Sequence, residues 1–155
     1  LKMLPEEKLK ETKDKSLDVV TMWHVMEHIQ DLDQMWKELH RILEDTGIAV
    51  IAVPNSISYD AKRYMENWAA YDVPRHLWHF TPDTIKKWGE KHGFVLEKEY
   101  TMPLDGFYIS MLSEKYRGAR LAVIKGFWNG LKGWFAQCGK HSASSSIIYV
   151  FKKIA

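Results

Sequence analysis

One stretch of the sequence constrains the fold more than any other, because an apolar run, an amphipathic helix and a second apolar run follow one another in it. The runs at 17–23 and 48–53 are rich in β-branched side chains, as buried strands are. Between them, apolar residues from Leu32 onward recur at the spacing of one helical face, with Asp31 as N-cap and Gly47 as the left-handed residue that ends the helix. This order predicts a right-handed βαβ unit with two adjacent parallel strands, each buried on both faces.

Polar residues follow the first strand of this unit, and the Pro54-Asn55 turn follows the second. His24, Glu27 and His28 come directly after the first strand. In open α/β sheets, ligands bind outside the carboxyl ends of the parallel strands. We therefore expect these residues at the rim of an active site. In another interpretation, Glu27 and His28 only stabilise the strand-to-helix turn through hydrogen bonds.

Composition excludes several classes of protein. A chain of 155 residues with 46% hydrophobic residues fits one folded domain, and a net charge of +2 is too small to indicate a nucleic-acid partner. No apolar run has the length of a transmembrane helix, and the first residues are not typical of a signal peptide. The single cysteine, Cys138, suits a reducing compartment, so we expect a cytoplasmic protein. Residues 1–16 are charged and are expected to form an exposed lead-in to a domain at 17–155.

The rest of the chain predicts further helices and strands, which alternate with polar connections. The capping residues are clearest for a third helix, because Thr81 with Pro82 after it is a typical start and Gly93 is a typical end. The other elements are a helix over 57–68, an irregular polar and aromatic connection over 71–80, a strand over 94–100, a helical, aromatic-rich insertion over 103–139 and a strand over 147–151.

Several segments of this pattern together resemble the second half of a class I S-adenosylmethionine-dependent methyltransferase. They are Asp18 to His28, the Thr46-Gly47 pair before an apolar strand that ends in Val53-Pro54-Asn55, Asp-Val-Pro-Arg-His at 72–76 and Phe80-Thr81-Pro82. The resemblance is closest to a bacterial branch with the Asp-Val-Pro-Arg-His segment and more distant to ubiquinone-pathway O-methyltransferases. It implies an α/β fold with strands 4 to 7 of a seven-stranded Rossmann-like sheet, the last of them antiparallel.

The first half of that family's fold, with its glycine-rich loop, has no counterpart in this sequence. No Gly-x-Gly-x-x-Gly occurs, and we therefore expect the 155-residue chain to bind S-adenosylmethionine poorly by itself. Strands 17–23 and 48–53 should be parallel neighbours, and strands 94–100 and 146–152 should be antiparallel to each other. A sheet without its first strands would expose an edge, which favours a partner chain or an oligomer.

The resemblance also implies a site for methyl transfer to a small-molecule or lipophilic acceptor. Met22, Trp23 and His24 would pass beside S-adenosylmethionine at the end of the first strand. His24 and His76 are the candidates for a general base, because histidine titrates nearest to neutral pH. The acceptor would contact the connection over 71–80, through the four residues Asp72, Arg75, His76 and His79. Alternatively, Asp72 and Arg75 clamp this connection as an ion pair, and His79 is packed or capping.

Two other functions remain open at this point. His24, Glu27 and His28 match the His-x-x-Glu-His signature of a zinc hydrolase, although they follow a strand and do not lie within a long helix. The ubiquinone-pathway relatives use the corresponding cluster for a divalent metal, which makes the same three residues metal candidates here without favouring a metal. The other alternative is a non-catalytic α/β remnant or interaction module without a cofactor.

Residues 119–138 combine an apolar helical stripe with basic residues. Arg117, Arg120, Lys125 and Lys132 supply the positive charge. Such a helix can lie on an anionic membrane, cover a lipophilic acceptor or form an oligomer contact, or it can simply pack on its own sheet. The apolar stripe comprises Leu121, Ile124, Phe127, Trp128, Leu131, Trp134 and Phe135.

Overall fold

The computed structural model describes residues 6–154, which fold around one mixed four-stranded sheet. Its strands are β1 (Leu17–Trp23), β2 (Leu43–Pro54), β3 (Phe94–Thr101) and β4 (Ser146–Lys153), in the order β1-β2-β4-β3. β1 and β2 are parallel, and β4 is antiparallel to both β2 and β3. The α/β fold and both predicted strand pairings are therefore confirmed.

Five α-helices accompany the sheet within residues 6–154, and none of them is long and apolar enough to cross a membrane. They are α1 (Leu32–Ile42), α2 (Tyr59–Tyr64), α3 (Pro82–Lys91), α4 (Asp105–Tyr116) and α5 (Ala122–Gly139). Short 3₁₀ helices occur at Glu6–Glu11, Met26–His28, Met65–Asn67, Ala69–Tyr71 and His141–Ala143. The first five residues of the predicted charged lead-in lie outside the described residues.

The local sequence predicted the start of α1 and both ends of α3 correctly, but it predicted the end of α1 wrongly. Asp31 accepts a hydrogen bond from the Gln34 backbone N–H at 2.9 Å, and α3 begins after Thr81 as predicted and is followed by left-handed Gly93. The prediction that Gly47 ends α1 is wrong. α1 already ends at Ile42, and β2 begins directly after it. Gly47 lies inside β2, in a bulge between two β1–β2 pairs, Leu17 with Leu43 and Val19 with Ile48.

The hydrophobic core lies between the sheet and the helices α1 and α3. At its centre Trp36 is fully buried, and its ring packs against Phe94 and Phe151 at centroid distances of 5.4 and 5.2 Å. β1 departs from the prediction that both strands are buried on both faces, because Met22 is its only buried residue. Within the described residues β1 pairs with β2 alone, so it forms one edge of the sheet. This agrees with the expected exposed edge.

The predicted helix over 57–68 is shorter than expected. Ser58 caps α2 by accepting a hydrogen bond from the Ala61 N–H, but α2 ends at Tyr64. Met65 then has a φ of 51°, which the interior of an α-helix cannot accommodate. The chain continues to Tyr71 in short 3₁₀ turns.

Helices α4 and α5 form a hairpin between β3 and β4, and glycines form their interface. A Cβ at Gly126 would collide with the backbone of Met111, and one at Gly130 would come within 2.7 Å of the Cα of Phe107. Since the glycine side of α5 faces α4, the apolar stripe of α5 points away from the protein. The interpretation of this helix as one that packs its apolar stripe on its own sheet is therefore wrong.

Candidate active site

A cleft of about 240 Å³ lies where the carboxyl ends of β1 and β2 meet the connection over 71–80 and helix α4. This is the edge of the sheet at which the sequence predicted a site. His24, Asp72, Arg75 and His76 of the predicted set line it. The other lining residues are Pro54, Ala69, Ala70, Asp105, Tyr108, Ile109, Leu112, Tyr116 and Ser146.

Glu27 is the buried carboxylate beneath this cleft, with a side chain that is 0% exposed. Its Oε1 accepts a hydrogen bond from Nδ1 of His24 at 3.2 Å and lies 4.0 Å from Nε2 of His76. Its Oε2 is buried and has no hydrogen-bond partner within the described residues. A buried carboxylate oxygen without a partner is costly and rare in folded proteins. Glu27 thus hydrogen-bonds to one of the predicted site histidines and lies close to the other.

His24 directly follows β1 and has an uncommon backbone conformation, with a φ of 52°. Its backbone N–H donates to the carbonyl oxygen of Ala52 at 2.9 Å, which ties this turn to β2. The turn directs the imidazole between two acids, because Nδ1 donates to Glu27 and Nε2 lies 3.9 Å from Asp105. The hydrogen bond to Glu27, with a smaller contribution from the charge of Asp105, raises the pKa of His24 above its usual value of 6.5. The site therefore favours the imidazolium form of His24.

This raised pKa predicts a pH-dependent contribution of His24 to stability. A group whose pKa is higher in the folded state stabilises the fold fully below its unfolded pKa, and this stabilisation is lost as pH rises through the folded pKa. The difference in free energy of unfolding between the wild type and His24→Gln should therefore be largest below about pH 6.5 and shrink as the pH rises through the raised folded-state pKa of His24. Urea denaturation across this range measures it, with NMR titration of the His24 ring as a direct readout. Glu27→Gln should remove the shift; a His24 pKa at or below 6.5 in the wild type would contradict the expectation.

His76 has the geometry of a proton acceptor. Its Nδ1 lies 2.8 Å from the backbone oxygen of Ala70, which can only accept, so Nδ1 carries the proton of the neutral ring. Nε2 is then free to accept a proton, and it lies 4.0 Å from Glu27 and 3.9 Å from Asp72. The ring is 11% exposed, at the wall of the cleft.

Asp72 and Arg75 form the ion pair that the sequence offered as one alternative. Asp72 has a φ of 37°, a left-handed conformation that aspartate tolerates, and its Oδ1 accepts from Nη2 of Arg75 at 2.5 Å. This ion pair raises the pKa of the Arg75 guanidinium. Since the guanidinium is largely exposed and also lines the cleft, the clamp leaves it accessible to a ligand.

Hydrogen bonds to the backbone hold the connection over 71–80 in place. Nδ1 of His28 donates to the backbone carbonyl oxygen of Arg75 at 2.9 Å, and the backbone N–H of Leu77 donates to the backbone carbonyl oxygen of Glu27 at 2.8 Å. His79 does not line the cleft; its Nε2 lies 3.0 Å from the Tyr71 oxygen, and its ring packs edge-on against the Tyr71 ring. The packed alternative therefore describes His79 in this structure.

The three residues at the end of β1 differ in what they expose. The side chain of Met22 belongs to the core, whereas Trp23 is 50% exposed and His24 reaches the cleft. A ligand beside this strand end would therefore meet the Trp23 and His24 side chains and only the backbone of Met22.

The structure changes the candidate metal ligands. Within residues 6–154, one ligand atom each from Glu27, His28 and His76 lies within 4.8 Å of the others, so His76 takes the place of His24 in the predicted set. Nε2 of His28 is available, because its Nδ1 donates to a backbone carbonyl. The zinc-hydrolase signature requires its two histidines on one helix. Here His24 follows the last residue of β1, and the helical turn comprises only Met26–His28.

Sequence reasoning missed the contribution of α4 to the cleft. Asp105 and Tyr108 line it from the predicted insertion, and the Oγ of Ser146 donates a hydrogen bond to Asp105. Asp105 lies far along the chain from His24, so no local pattern in the sequence indicates that they meet.

Comparison with protein families identifies the family to which the chain belongs. The family model described as a methyltransferase domain matches residues 4–99, which is more than half of the chain and covers β1, α1, β2, α2, α3 and most of β3. The chain belongs to the methyltransferase domain family. A comparison with curated protein sequences found no match.

Solved structures of methyltransferases share the fold at low sequence identity. A SAM-dependent methyltransferase from Archaeoglobus fulgidus is 19% identical with a TM-score of 0.54, over 95% of this chain and 64% of that one. The methyltransferase in a complex with the Haloferax volcanii Trm112 activator is 13% identical with a TM-score of 0.59, over 92% and 57%. Phosphoethanolamine N-methyltransferase 2 of Haemonchus contortus, solved with phosphomonomethylethanolamine and S-adenosylhomocysteine, is 14% identical with a TM-score of 0.53, over 92% and 34%.

These similarities establish the class I methyltransferase fold of the chain. The chain spans less than two thirds of the length of each of these three structures. The resemblance seen in the sequence is confirmed at the level of family and fold.

Proposed function

We propose that this protein takes part in methyl transfer from S-adenosylmethionine to a small-molecule acceptor, and that the acceptor occupies the cleft beside His76. Family membership supports the reaction class. The observation that carries the assignment of roles is the tautomer of His76, whose Nδ1 donates to Ala70 so that Nε2 is the free base within the cleft.

The residues present fit one side of S-adenosylmethionine. The carboxyl end of β1 lies at an edge of the sheet, with a half-exposed Trp23 and the turn at His24 beside the cleft. The sequence contains no glycine-rich loop through which backbone could closely approach the methionine part. When bound, S-adenosylmethionine supplies an electrophilic methyl group, and the chain's own residues position the acceptor and handle its proton.

His76 accepts the acceptor's proton through Nε2 in this proposal. The charge that forms on its ring is stabilised by the carboxylates of Glu27 and Asp72, both about 4 Å away. His24 is less suited as a base, because its Nδ1 already donates to Glu27 and this hydrogen bond stabilises the protonated ring, which raises the pKa of His24. Its role is to orient Glu27 through their hydrogen bond.

Arg75 and α4 select and enclose the acceptor. The exposed Arg75 guanidinium, fixed by Asp72, can bind an acidic or hydroxylated group at the mouth of the cleft. Tyr108, Leu112 and Tyr116 of α4 line the opposite wall with aromatic and apolar surface, which excludes water from the reacting groups. The acceptor is therefore a molecule with both a polar and an apolar part.

A divalent metal is the second candidate, favoured by the unpartnered Oε2 of Glu27 beside His28 and His76. In that version the three side chains are ligands, and His76 is not free to act as a base. Adding a chelator separates the two versions, because only the metal version loses activity and regains it with a divalent ion.

Calorimetry tests the cofactor part of the proposal. We expect the 155-residue chain alone to bind S-adenosylmethionine poorly, because it lacks the glycine-rich loop. Micromolar affinity of the isolated chain would contradict this expectation. The protein as the source cells make it should transfer the tritium-labelled methyl group of S-adenosylmethionine to a component of an aqueous or lipid extract of those cells. If the protein binds S-adenosylmethionine but transfers no label to any component of either extract, the non-catalytic alternative is supported.

A further inference from the structure

The outer face of α5 carries large apolar side chains that the described part of the chain covers only in part. Its Trp128 is 58% exposed and its Phe135 is 62% exposed, and Ile124 and Phe127 beside them are about half exposed. The opposite side of α5 packs on α4 through Gly126 and Gly130. The glycines thus let α5 approach α4 closely while the large side chains point outward. A contiguous apolar patch of this kind marks a surface for interaction.

The charge of this segment is one-sided. Residues 117–140 contain five basic residues and no acidic residue. The whole chain has 22 basic and 20 acidic residues, so this segment holds an excess of positive charge that the rest of the protein does not share. On α5, Lys125 and Lys132 flank the apolar stripe along the border that also carries Trp128.

The basic residues converge on a groove at this border. An open groove of about 480 Å³ is lined by Arg63, Arg117, Lys125 and Lys132, beside the ring of Trp128. The one carboxylate in its lining, Glu114, is buried and accepts a hydrogen bond from Asn129. Four cations around one groove suit a phosphate oxygen, and the aromatic side chains beside it suit the region between lipid headgroups and acyl chains.

We propose that the outer face of α5 docks onto the surface of an anionic lipid bilayer. Amphipathic helices that lie in a membrane surface combine aromatic residues on the apolar face with lysine and arginine at its border, as α5 does. A second copy of this chain is a poorer occupant, because a two-fold contact would bring the same positive residues of both copies together.

The fold links this surface to the cleft. Residues Tyr108, Leu112 and Tyr116 of α4 line the cleft, and α5 packs on another side of the same helix. A docked α5 would therefore hold the cleft one helix away from the lipid surface, a separation of about 10 Å. The inference stands independently of the methyl-transfer proposal, because it rests on α5 and its basic groove alone.

Vesicle binding tests the proposal without knowledge of the acceptor. Cys138 is the only cysteine, is exposed and lies on α5, so an environment-sensitive fluorophore attached there reports on contact with lipid. We expect sedimentation with phosphatidylcholine vesicles that contain 30% phosphatidylglycerol to exceed binding to pure phosphatidylcholine roughly tenfold or more, with a blue shift of the label. Binding should weaken as salt is raised from about 0.1 to 0.5 M.

Matched variants assign the effect to α5. Lys125→Glu with Lys132→Glu should lower binding roughly tenfold or more, and Phe127→Ser with Trp128→Ser should abolish the blue shift. Lys86→Glu with Lys87→Glu, which reverses two exposed charges on α3, should leave binding unchanged. Circular dichroism checks that each variant is folded, and the comparison of the two lipid mixtures needs no variant.

Three outcomes would overturn the proposal. The first is no preference of the folded wild type for the anionic vesicles. The second is equal loss of binding in the α3 and α5 charge variants. The third is a dimer in light scattering that Phe127→Ser with Trp128→Ser dissociates, because a second copy would then be the occupant of this face.

Discussion

Replacing His76 with alanine is expected to lower kcat of the natural protein roughly 10²–10⁴-fold, the usual contribution of a positioned general base. The affinity for S-adenosylmethionine should change little, because the proposed function places the acceptor and not the cofactor beside His76. Transfer of labelled methyl to the acceptor found in cell extracts measures kcat, and calorimetry measures the affinity.

His79→Ala is the matched control for this experiment. His79 is on the same connection, but it does not line the cleft, so the variant should retain nearly the wild-type kcat. His76→Asn keeps a donor near the position of Nδ1 for the Ala70 oxygen without supplying a base, and it should be as slow as His76→Ala. A His76→Asn variant with near-normal turnover would mean that His76 only holds the connection together. Activity lost to a chelator and restored by a divalent ion would instead make His76 a metal ligand.

Gly126→Ala is expected to lower the free energy of unfolding by about 1–3 kcal/mol, the usual cost of forcing an added methyl into a well-packed contact. The new Cβ would collide with the backbone of Met111, which cannot rotate aside as a flexible side chain can. Helices α4 and α5 must therefore move apart. Urea denaturation followed by circular dichroism measures the change.

Gly139→Ala separates this collision from intrinsic helix propensity. Gly139 ends the same helix, and a Cβ there would meet nothing within 4 Å. Alanine at this position should leave the stability unchanged or raise it by no more than about 1 kcal/mol. If both variants are equally stable, α4 and α5 do not pack through the glycine face of α5, and the apolar stripe of α5 does not point outward.

The parts of the fold that depend on near neighbours could be predicted from the sequence. A strand at 17–23, a helix that begins after Asp31 and a helix between Thr81 and Gly93 follow from hydrophobic spacing and caps within a few residues. The edge of the sheet that carries the cleft also followed, because strand direction places His24 and Asn55 at the same end. The family and its fold followed from several such segments in the correct order.

Errors arose where a local signal had two physical uses. Glycine can end a helix in the left-handed conformation or relieve crowding, and at Gly47 it does the latter inside a bulge of β2. The glycines of α5 weaken the helix by composition, yet they are what lets α4 pack against it. An apolar stripe indicates a contact surface but does not indicate which partner it contacts. On α5 the other described elements leave this stripe largely exposed.

The sequence alone determined the parallel pairing of β1 with β2 and the residue types that follow β1, because these depend on contacts among near neighbours and on strand direction. The antiparallel pairing of β3 with β4 followed from the family resemblance, and the pairing of β2 with β4 came only from the tertiary structure. Only the tertiary structure decided which acids surround the histidines. Glu27 meets His76 after a long excursion of the chain, and Asp105 reaches His24 from a hairpin whose position the sequence left open. Such contacts depend on how whole elements pack, and packing is set by the summed burial of many side chains. The spacing of residues within a single helix or strand therefore does not predict such contacts.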